Sequence, residues 1–136
     1  MYKELVRDGV DGIVKVYGFF SAKIRADEEC YILLMEGGGM PLSARLNRAN
    51  FKSHLRTQRA TCGAAVASFN QKGFVHGNIT YDHLLLDVKA KKASLISLSK
   101  CIQHHDTSGD AFRSQKDEDE QQIRSCLGES KNVLSA

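Results

Sequence analysis

The sequence lacks the short motifs that identify several common classes of enzyme. It contains no G-x-S-x-G, the turn that exposes a nucleophilic serine, and neither G-x-G-x-x-G nor G-x-x-x-x-G-K-[ST], whose backbone amides cradle phosphates. Its four cysteines have no C-x-x-C spacing, and none stands in the sequence context of a catalytic thiol. We therefore expect no serine or cysteine nucleophile, and reduced thiols in place of a zinc site or a disulfide framework.

Long apolar runs and massed charge are missing as well. No stretch reaches the roughly 20 apolar residues that a membrane-spanning helix needs, and the N-terminal M-Y-K-E-L-V-R-D is charged where a secretory signal is apolar. The formal net charge is only +3, and Lys and Arg are scattered along the chain. We expect a cytoplasmic or nuclear protein that binds neither membrane nor nucleic acid.

One stretch combines a polar loop with a core strand. Residues 73–87 read G-F-V-H-G-N-I-T-Y-D-H-L-L-L-D. After a short apolar entry, only Ile79 is aliphatic among the next seven residues, and the following run of Leu84, Leu85 and Leu86 is typical of a buried strand. The sequence therefore predicts a loop of polar side chains that a buried strand follows.

Further elements are predicted on both sides of this loop. Before it we expect the last turns of a helix at 2–8, a strand at 13–20, a fully buried strand at 30–35, a glycine connector at 36–39, a short helix starting near Pro41, and a long helix at 54–72. After it we expect a strand at 93–98 that pairs with the strand at 84–86 as a hairpin, and a terminal helix at 116–127. The first two strands should form an incomplete sheet with an exposed edge.

The loop resembles the phosphotransfer loop of the protein kinase and aminoglycoside phosphotransferase superfamily. That loop usually reads H-R-D or H-G-D, four residues, Asn, and a short apolar strand. Here the same spacing reads His76, Gly77, Asn78, four residues and His83. The H-G pair is closer to the aminoglycoside phosphotransferase branch, and the whole chain is similar to the short kinase-like proteins common in fungi.

The resemblance implies an α+β fold that is only part of a kinase domain. A complete kinase domain needs roughly twice the 136 residues present. By this resemblance the chain is a single domain made of a small-lobe remnant at 1–36, a hinge at 37–40, and a large-lobe part at 41–136. The small-lobe remnant corresponds to the end of a kinase small lobe, and the large-lobe part corresponds to the first half of the helical large lobe.

The resemblance also implies that the catalytic positions are degenerate. Asn78 replaces the family's proton-accepting Asp, His83 replaces the metal-binding Asn, and Ser97 replaces the Asp of D-F-G. An amide has no useful basicity, and Mg²⁺ prefers carboxylate or carbonyl oxygens to an imidazole nitrogen or a hydroxyl. We therefore expect no active catalytic residue at these positions or at His76, no metal site and no required cofactor.

The stretch from Met35 to Gly38 resembles the kinase hinge. By this resemblance Met35 is the gatekeeper. The backbone of Glu36, Gly37 and Gly38 then faces adenine, because glycine lets a ligand approach closely. Without the resemblance, the segment E-G-G-G predicts only a surface turn, because glycine is frequent in turns.

Three functions remain open at this point. The first is a pseudokinase, an inactive kinase-like module that acts by protein interaction or regulation, with a protein partner or a second copy at the exposed sheet edge. The second is a kinase-like or phosphotransferase domain with residual ATP binding. The third is a gene remnant without a selected function. Thermal stabilisation by nucleotide separates the second from the other two.

Overall fold

The computed structural model describes residues 1–45 and 51–128, with the side chains of 1–44 and 58–128. The helices and strands are α1 (Tyr2–Arg7), β1 (Val16–Arg25), β2 (Glu28–Met35), β3 (Met40–Pro41), α2 (Phe51–Gln71), β4 (Phe74–Val75), β5 (Leu84–Asp87), β6 (Lys92–Leu95), β7 (Ile102–Gln103) and α3 (Asp110–Cys126). Short 3₁₀ helices cover Leu42–Arg45 and Leu98–Lys100. Within this part of the chain, no helix is both long and apolar enough to cross a lipid bilayer.

The strands form three small antiparallel sheets. The first contains β1 and β2 alone, the second has the order β3-β5-β6, and the third pairs β4 with β7. In the second sheet Leu84 is opposite Leu95 and Leu86 is opposite Ala93. This pairing confirms the predicted hairpin, although its second strand ends at Leu95, three residues earlier than expected.

The core lies between α2, the β5–β6 hairpin and α3. Cys62, Val66 and Phe69 follow one another at helical spacing and are buried, so one face of α2 packs inward. Leu84 and Leu86 are buried from the sheet side. Each such side chain contributes about 1.5–3 kcal/mol through the surface it removes from water.

The long helix and the terminal helix confirm two predictions with shifted ends. α2 spans Phe51–Gln71 where residues 54–72 were expected, and Gly73 follows it with the positive φ of a helix C-cap. α3 begins at Asp110, six residues before the predicted start. The prediction of a short helix near Pro41 is wrong for its first residues. Met40 and Pro41 form a strand that pairs with β5, and a 3₁₀ helix follows at Leu42–Arg45.

The prediction of a fully buried strand at 30–35 is wrong. β2 lies there, but Tyr31 is 62% exposed, Leu33 is 53% exposed and Leu34 is 52% exposed. The reason is that β2 pairs only with β1, and no further strand of the described residues extends this sheet. An apolar run predicts a strand, whereas its burial depends on what packs against it.

Candidate functional site

The polar loop lies between β4 and β5 and turns sharply at Gly77. This residue has a φ of +81°, a backbone conformation that residues other than glycine rarely adopt. A Cβ at this position would also lie 2.9 Å from the carbonyl oxygen of Lys100. The glycine of the H-G-N sequence is therefore required by the backbone of the loop.

A buried carboxylate from α3 holds the start of the loop. Oδ2 of Asp119 accepts hydrogen bonds from the His76 backbone N–H at 2.8 Å and from the Asn70 side-chain amide at 3.3 Å. Its Oδ1 accepts one from the Gly77 N–H at 2.9 Å. Asp119 has no exposed surface, and a buried carboxylate is stable only where such donors surround it. It therefore fixes the loop to α3.

Asp119 is not among the residues that the sequence predicts for the site, because it stands in the acidic run K-D-E-D-E. Such a run is typical of a solvated helix start, but the spacing along α3 contains a signal. The buried residues of this helix are Phe112, Asp119, Ile123 and Cys126. Steps of seven, four and three residues place this one acid on the apolar face of the helix.

His76 has a structural role. Its Nε2 donates a hydrogen bond to the Ile96 carbonyl at 2.8 Å, and its Nδ1 accepts one from the Asn78 backbone N–H at 3.2 Å. These partners require the neutral imidazole, because a carbonyl only accepts and an amide N–H only donates. Burial is the main cause that lowers the pKa of His76. The ring also meets Phe69 edge-on, with centroids 5.9 Å apart.

The structure brings together the four residues of the predicted site, His76, Asn78, His83 and Ser97. Nδ1 of His83 donates to the Asn78 carbonyl at 2.8 Å, and the rings of His76 and His83 are 6.4 Å apart. Ile96 joins the two histidines, because its N–H donates to the His83 carbonyl and its own carbonyl accepts from His76. Ser97 follows with an exposed side chain and a left-handed φ of +63°. These residues thus form one connected site.

The hydrogen bonds that connect this site are made by imidazole and backbone groups. Between His76 and His83 the only carboxylate is Asp82, whose side chain is exposed. Across residues 1–45 and 51–128, no three His, Cys, Asp or Glu side chains form a cluster suited to a metal ion. The carboxylate nearest the start of the loop, Asp119, already accepts three hydrogen bonds.

The hinge-like segment is tied to the start of β1. The Glu36 N–H donates to the Lys15 carbonyl at 2.8 Å, and its Oε1 accepts from the Lys15 N–H at 2.7 Å and pairs with Lys92 at 3.3 Å. The hydrogen bond from the Lys15 backbone, followed by that from Lys92, lowers the pKa of Glu36. A Cβ on Gly38 would lie 2.6 Å from Val14 and 2.9 Å from Leu85, so the chain passes close to the core here. Adenine recognition by this segment stays a prediction.

An apolar cleft of about 370 Å³ opens behind Met35. It lies between one face of the β1–β2 sheet, α1 and the segment after β6. Its lining residues are Tyr2, Ile13, Val14, Val16, Leu33, Met35, Leu95, Ile96, Ser97 and Leu98. Met35 and Ser97 are therefore neighbours of the same cleft, whereas Glu36, Gly37 and Gly38 are not among its lining residues.

Comparison with solved structures identifies protein kinases as similar folds. The chain resembles the kinase PK-1 of Cydia pomonella granulovirus with a TM-score of 0.51 and 18% sequence identity, over 75% of this chain and 37% of the viral kinase. It is also similar to vaccinia related kinase 3, with a TM-score of 0.45 and 20% identity, over 75% of this chain and 32% of that protein. The sequence matches no protein-family model and no curated protein.

The similarity to the viral kinase confirms the predicted fold class. The chain has an α+β fold that corresponds to part of the protein kinase fold, and it spans 37% of the length of the viral kinase. At 18% identity the likeness concerns the fold alone.

Proposed function

We propose that this chain is a catalytically inactive, kinase-like module that acts by binding a protein through its β1–β2 hairpin. The observation that carries the proposal is the contrast between an intact loop and the residues Asn78, His83 and Ser97 at the positions where the resemblance expects catalytic groups. Asp119 and Ile96 hold the loop in place, while amide, imidazole and hydroxyl groups stand where phosphotransfer needs carboxylates and a metal-binding amide. The scaffold is retained without the groups that would use it for catalysis.

The hairpin supports the binding half of the proposal. One face carries Phe19 and Tyr31, which stack with ring centroids 5.8 Å apart and are 66% and 62% exposed. Leu33 is the cross-strand partner of Phe19, so it lies on the same face, and it also lines the apolar cleft. We call this the Phe19 face. Exposed aromatic residues beside an apolar cleft are typical of surfaces that bind proteins.

A phosphotransfer assay tests the inactive half. We expect no transfer of radiolabelled phosphate from ATP or GTP, with Mg²⁺ or Mn²⁺, to the protein or to generic hydroxyl acceptors. Asp82→Asn and Asn78→Ala are the matched variants, because Asp82 is the one carboxylate between the two loop histidines. Turnover that disappears in either variant would replace the pseudokinase proposal with the residual phosphotransferase. Thermal stabilisation by nucleotide without turnover would show that the site retains ATP binding.

Affinity purification from cell extract tests the binding half. Phe19→Lys should lose the proteins that the unmodified chain recovers, because a charge replaces an exposed anchor. Ile102→Lys is the matched control, since Ile102 is also an exposed apolar residue but lies on β7. Equal recovery by both variants, or recovery of nothing by any form, would contradict a binding role for this face.

A further inference from the structure

The opposite side of the hairpin forms a second apolar surface. Cross-strand partners share a face, so Phe20 with Ile32, and Gly18 with Leu34, lie on the side away from Phe19. Phe20, Ile32 and Leu34 are 53%, 50% and 52% exposed. We call this the Phe20 face, and its remaining members are Ala22 and Cys30. No charged side chain interrupts it between Gly18 and Ala22.

The two strands of the hairpin carry opposite charges. β1 ends with the basic residues Lys23 and Arg25, and β2 begins with Glu28 and Glu29. At the turn, Arg25 and Glu28 are cross-strand partners and form an exposed ion pair at 3.9 Å. Next to its turn, the hairpin therefore has the basic end of β1 beside the acidic start of β2.

This arrangement restricts how two copies can meet symmetrically. Pairing two sheets edge to edge about a twofold axis places β1 beside β1 or β2 beside β2, so the basic end of β1 does not meet the acidic end of β2 from the other copy. Stacking two sheets face to face with the axis parallel to the strands places β1 of one copy over β2 of the other. Only the stacked arrangement puts the basic end of β1 against the acidic start of β2.

We propose that a second copy of this chain docks on the Phe20 face, with β1 of each copy over β2 of the other. Phe20 then packs on Ile32 of the second copy, Ala22 packs on its Cys30, and Arg25 faces its Glu28. No member of the Phe20 face lines the apolar cleft, so this surface is separate from the Phe19 face. The inference therefore goes beyond the proposed function, which uses the other face.

The area of the face sets the expected strength. Three half-exposed large side chains and two small ones offer roughly 400 Å² per copy, or about 800 Å² in total. Stable interfaces bury about 1,200–2,000 Å², and smaller ones belong to transient complexes. The dimer should therefore be concentration-dependent, and its exposed ion pairs should make it weaker at high salt.

Sedimentation velocity over a series of protein concentrations tests the proposal. The unmodified chain should shift from monomer to dimer, and Ile32→Lys should weaken the dimer by at least about tenfold. Ile102→Lys should dimerise like the unmodified chain, because this residue lies on β7. A chain that stays monomeric throughout, or an Ile32→Lys variant that dimerises normally, overturns the proposal. Circular dichroism of each variant verifies that it is folded.

Cys30 provides an internal reporter of the same contact. It is the one partly exposed cysteine of the four, since Cys62, Cys101 and Cys126 are buried. Burial raises the pKa of the Cys62 thiol to about 11 and that of Cys101 to about 12, so both stay protonated and unreactive at neutral pH. Alkylation of Cys30 should slow as the dimer forms, and a rate independent of protein concentration would count against the stacked arrangement.

Charge exchange at the turn tests the orientation. Arg25→Glu makes the tip of both strands acidic, and Glu28→Arg makes it basic, so each variant alone should dimerise several-fold more weakly. An equimolar mixture should regain the dimer as a heterodimer. Failure of the mixture to associate excludes the β1-over-β2 orientation. Because Phe19→Lys tests partner binding and Ile32→Lys tests self-association, the two proposals fail by different measurements.

Discussion

The chain contains two apolar hairpins with opposite surroundings. In the β5–β6 hairpin, Leu84, Leu86 and Leu95 are at most 1% exposed, whereas Phe19 and Leu34 of the β1–β2 hairpin are more than half exposed. The former packs under α2 and next to β3, while within residues 1–45 and 51–128 β1 and β2 have only each other as sheet neighbours. Similar apolar strands therefore act as core in one place and as binding surface in the other.

The comparison assigns different roles to the two halves of the fold. Stability should reside in the body around β5, α2 and α3, where apolar side chains and Asp119 are buried together. The β1–β2 hairpin should contribute to binding and little to stability.

Loss of the buried carboxylate should have the largest effect. Asp119→Ala leaves the donors of His76, Gly77 and Asn70 without a partner, and each unsatisfied buried donor costs about 1–3 kcal/mol. The free energy of unfolding should fall by about 3–5 kcal/mol, measured by urea denaturation. Glu118→Ala, an exposed change on the same helix, should stay within about 0.5 kcal/mol. Equal effects would remove the special role of Asp119.

Truncating one leucine in each hairpin compares the two regions directly. Leu84→Ala should lower the free energy of unfolding by about 2–5 kcal/mol, because it opens a cavity in the core. Leu34→Ala should cost under about 1 kcal/mol, because half of that side chain is already in water. Thermal and urea unfolding of both variants provide the measurement. A large loss for Leu34→Ala would show that the β1–β2 hairpin belongs to the core.

Two glycines of the hinge-like segment form the next pair. Gly39 has a φ of +96°, and a Cβ there would clash with the Leu86 backbone, whereas a Cβ on Gly37 would meet no atom within 4 Å. Gly39→Ala should therefore cost about 2 kcal/mol or more, and Gly37→Ala should be nearly neutral. Chemical denaturation distinguishes them. If both changes are neutral, the segment does not pack against β5 in solution.

The sequence predicts the local elements well because their signals are local. The apolar run Leu84–Leu86, the helical spacing of Cys62, Val66 and Phe69, and the capping Gly73 each lie within a few residues of the structure they produce. The polar loop is also local, and the structure brings its predicted positions into one connected site.

Two features depend on distant contacts and were not predicted correctly. Exposure of Tyr31 and Leu33 is decided by the neighbours of β2, which the run C-Y-I-L-L-M does not contain. Asp119 bonds the backbone of His76 across 43 residues, and its acidic neighbours hide its position on the buried face of α3. Burial and long-range polar contacts arise from tertiary packing, so a reading of single segments does not supply them.

The smallest predicted effect is a pH dependence that originates at His76. Burial lowers the pKa of this imidazole below its ordinary value of about 6.5, so between the two values the unfolded chain binds a proton that the folded chain does not. Stability is then full above about pH 6.5 and falls as the pH falls below it. Protonation of Nδ1 would also remove the hydrogen bond that this atom accepts from the Asn78 N–H, because two N–H groups would then face each other.

The measurement is urea unfolding of three forms from about pH 7.5 to about pH 5. The unmodified chain and His105→Gln, which changes an exposed histidine, should lose stability in parallel on acidification. His76→Gln should be less stable at neutral pH but should lose less of its stability as the pH falls, because it lacks the buried titrating group. Parallel curves for all three forms would mean that His76 is solvated. The loop would then be exposed to solvent like the β1–β2 hairpin and would not belong to the core.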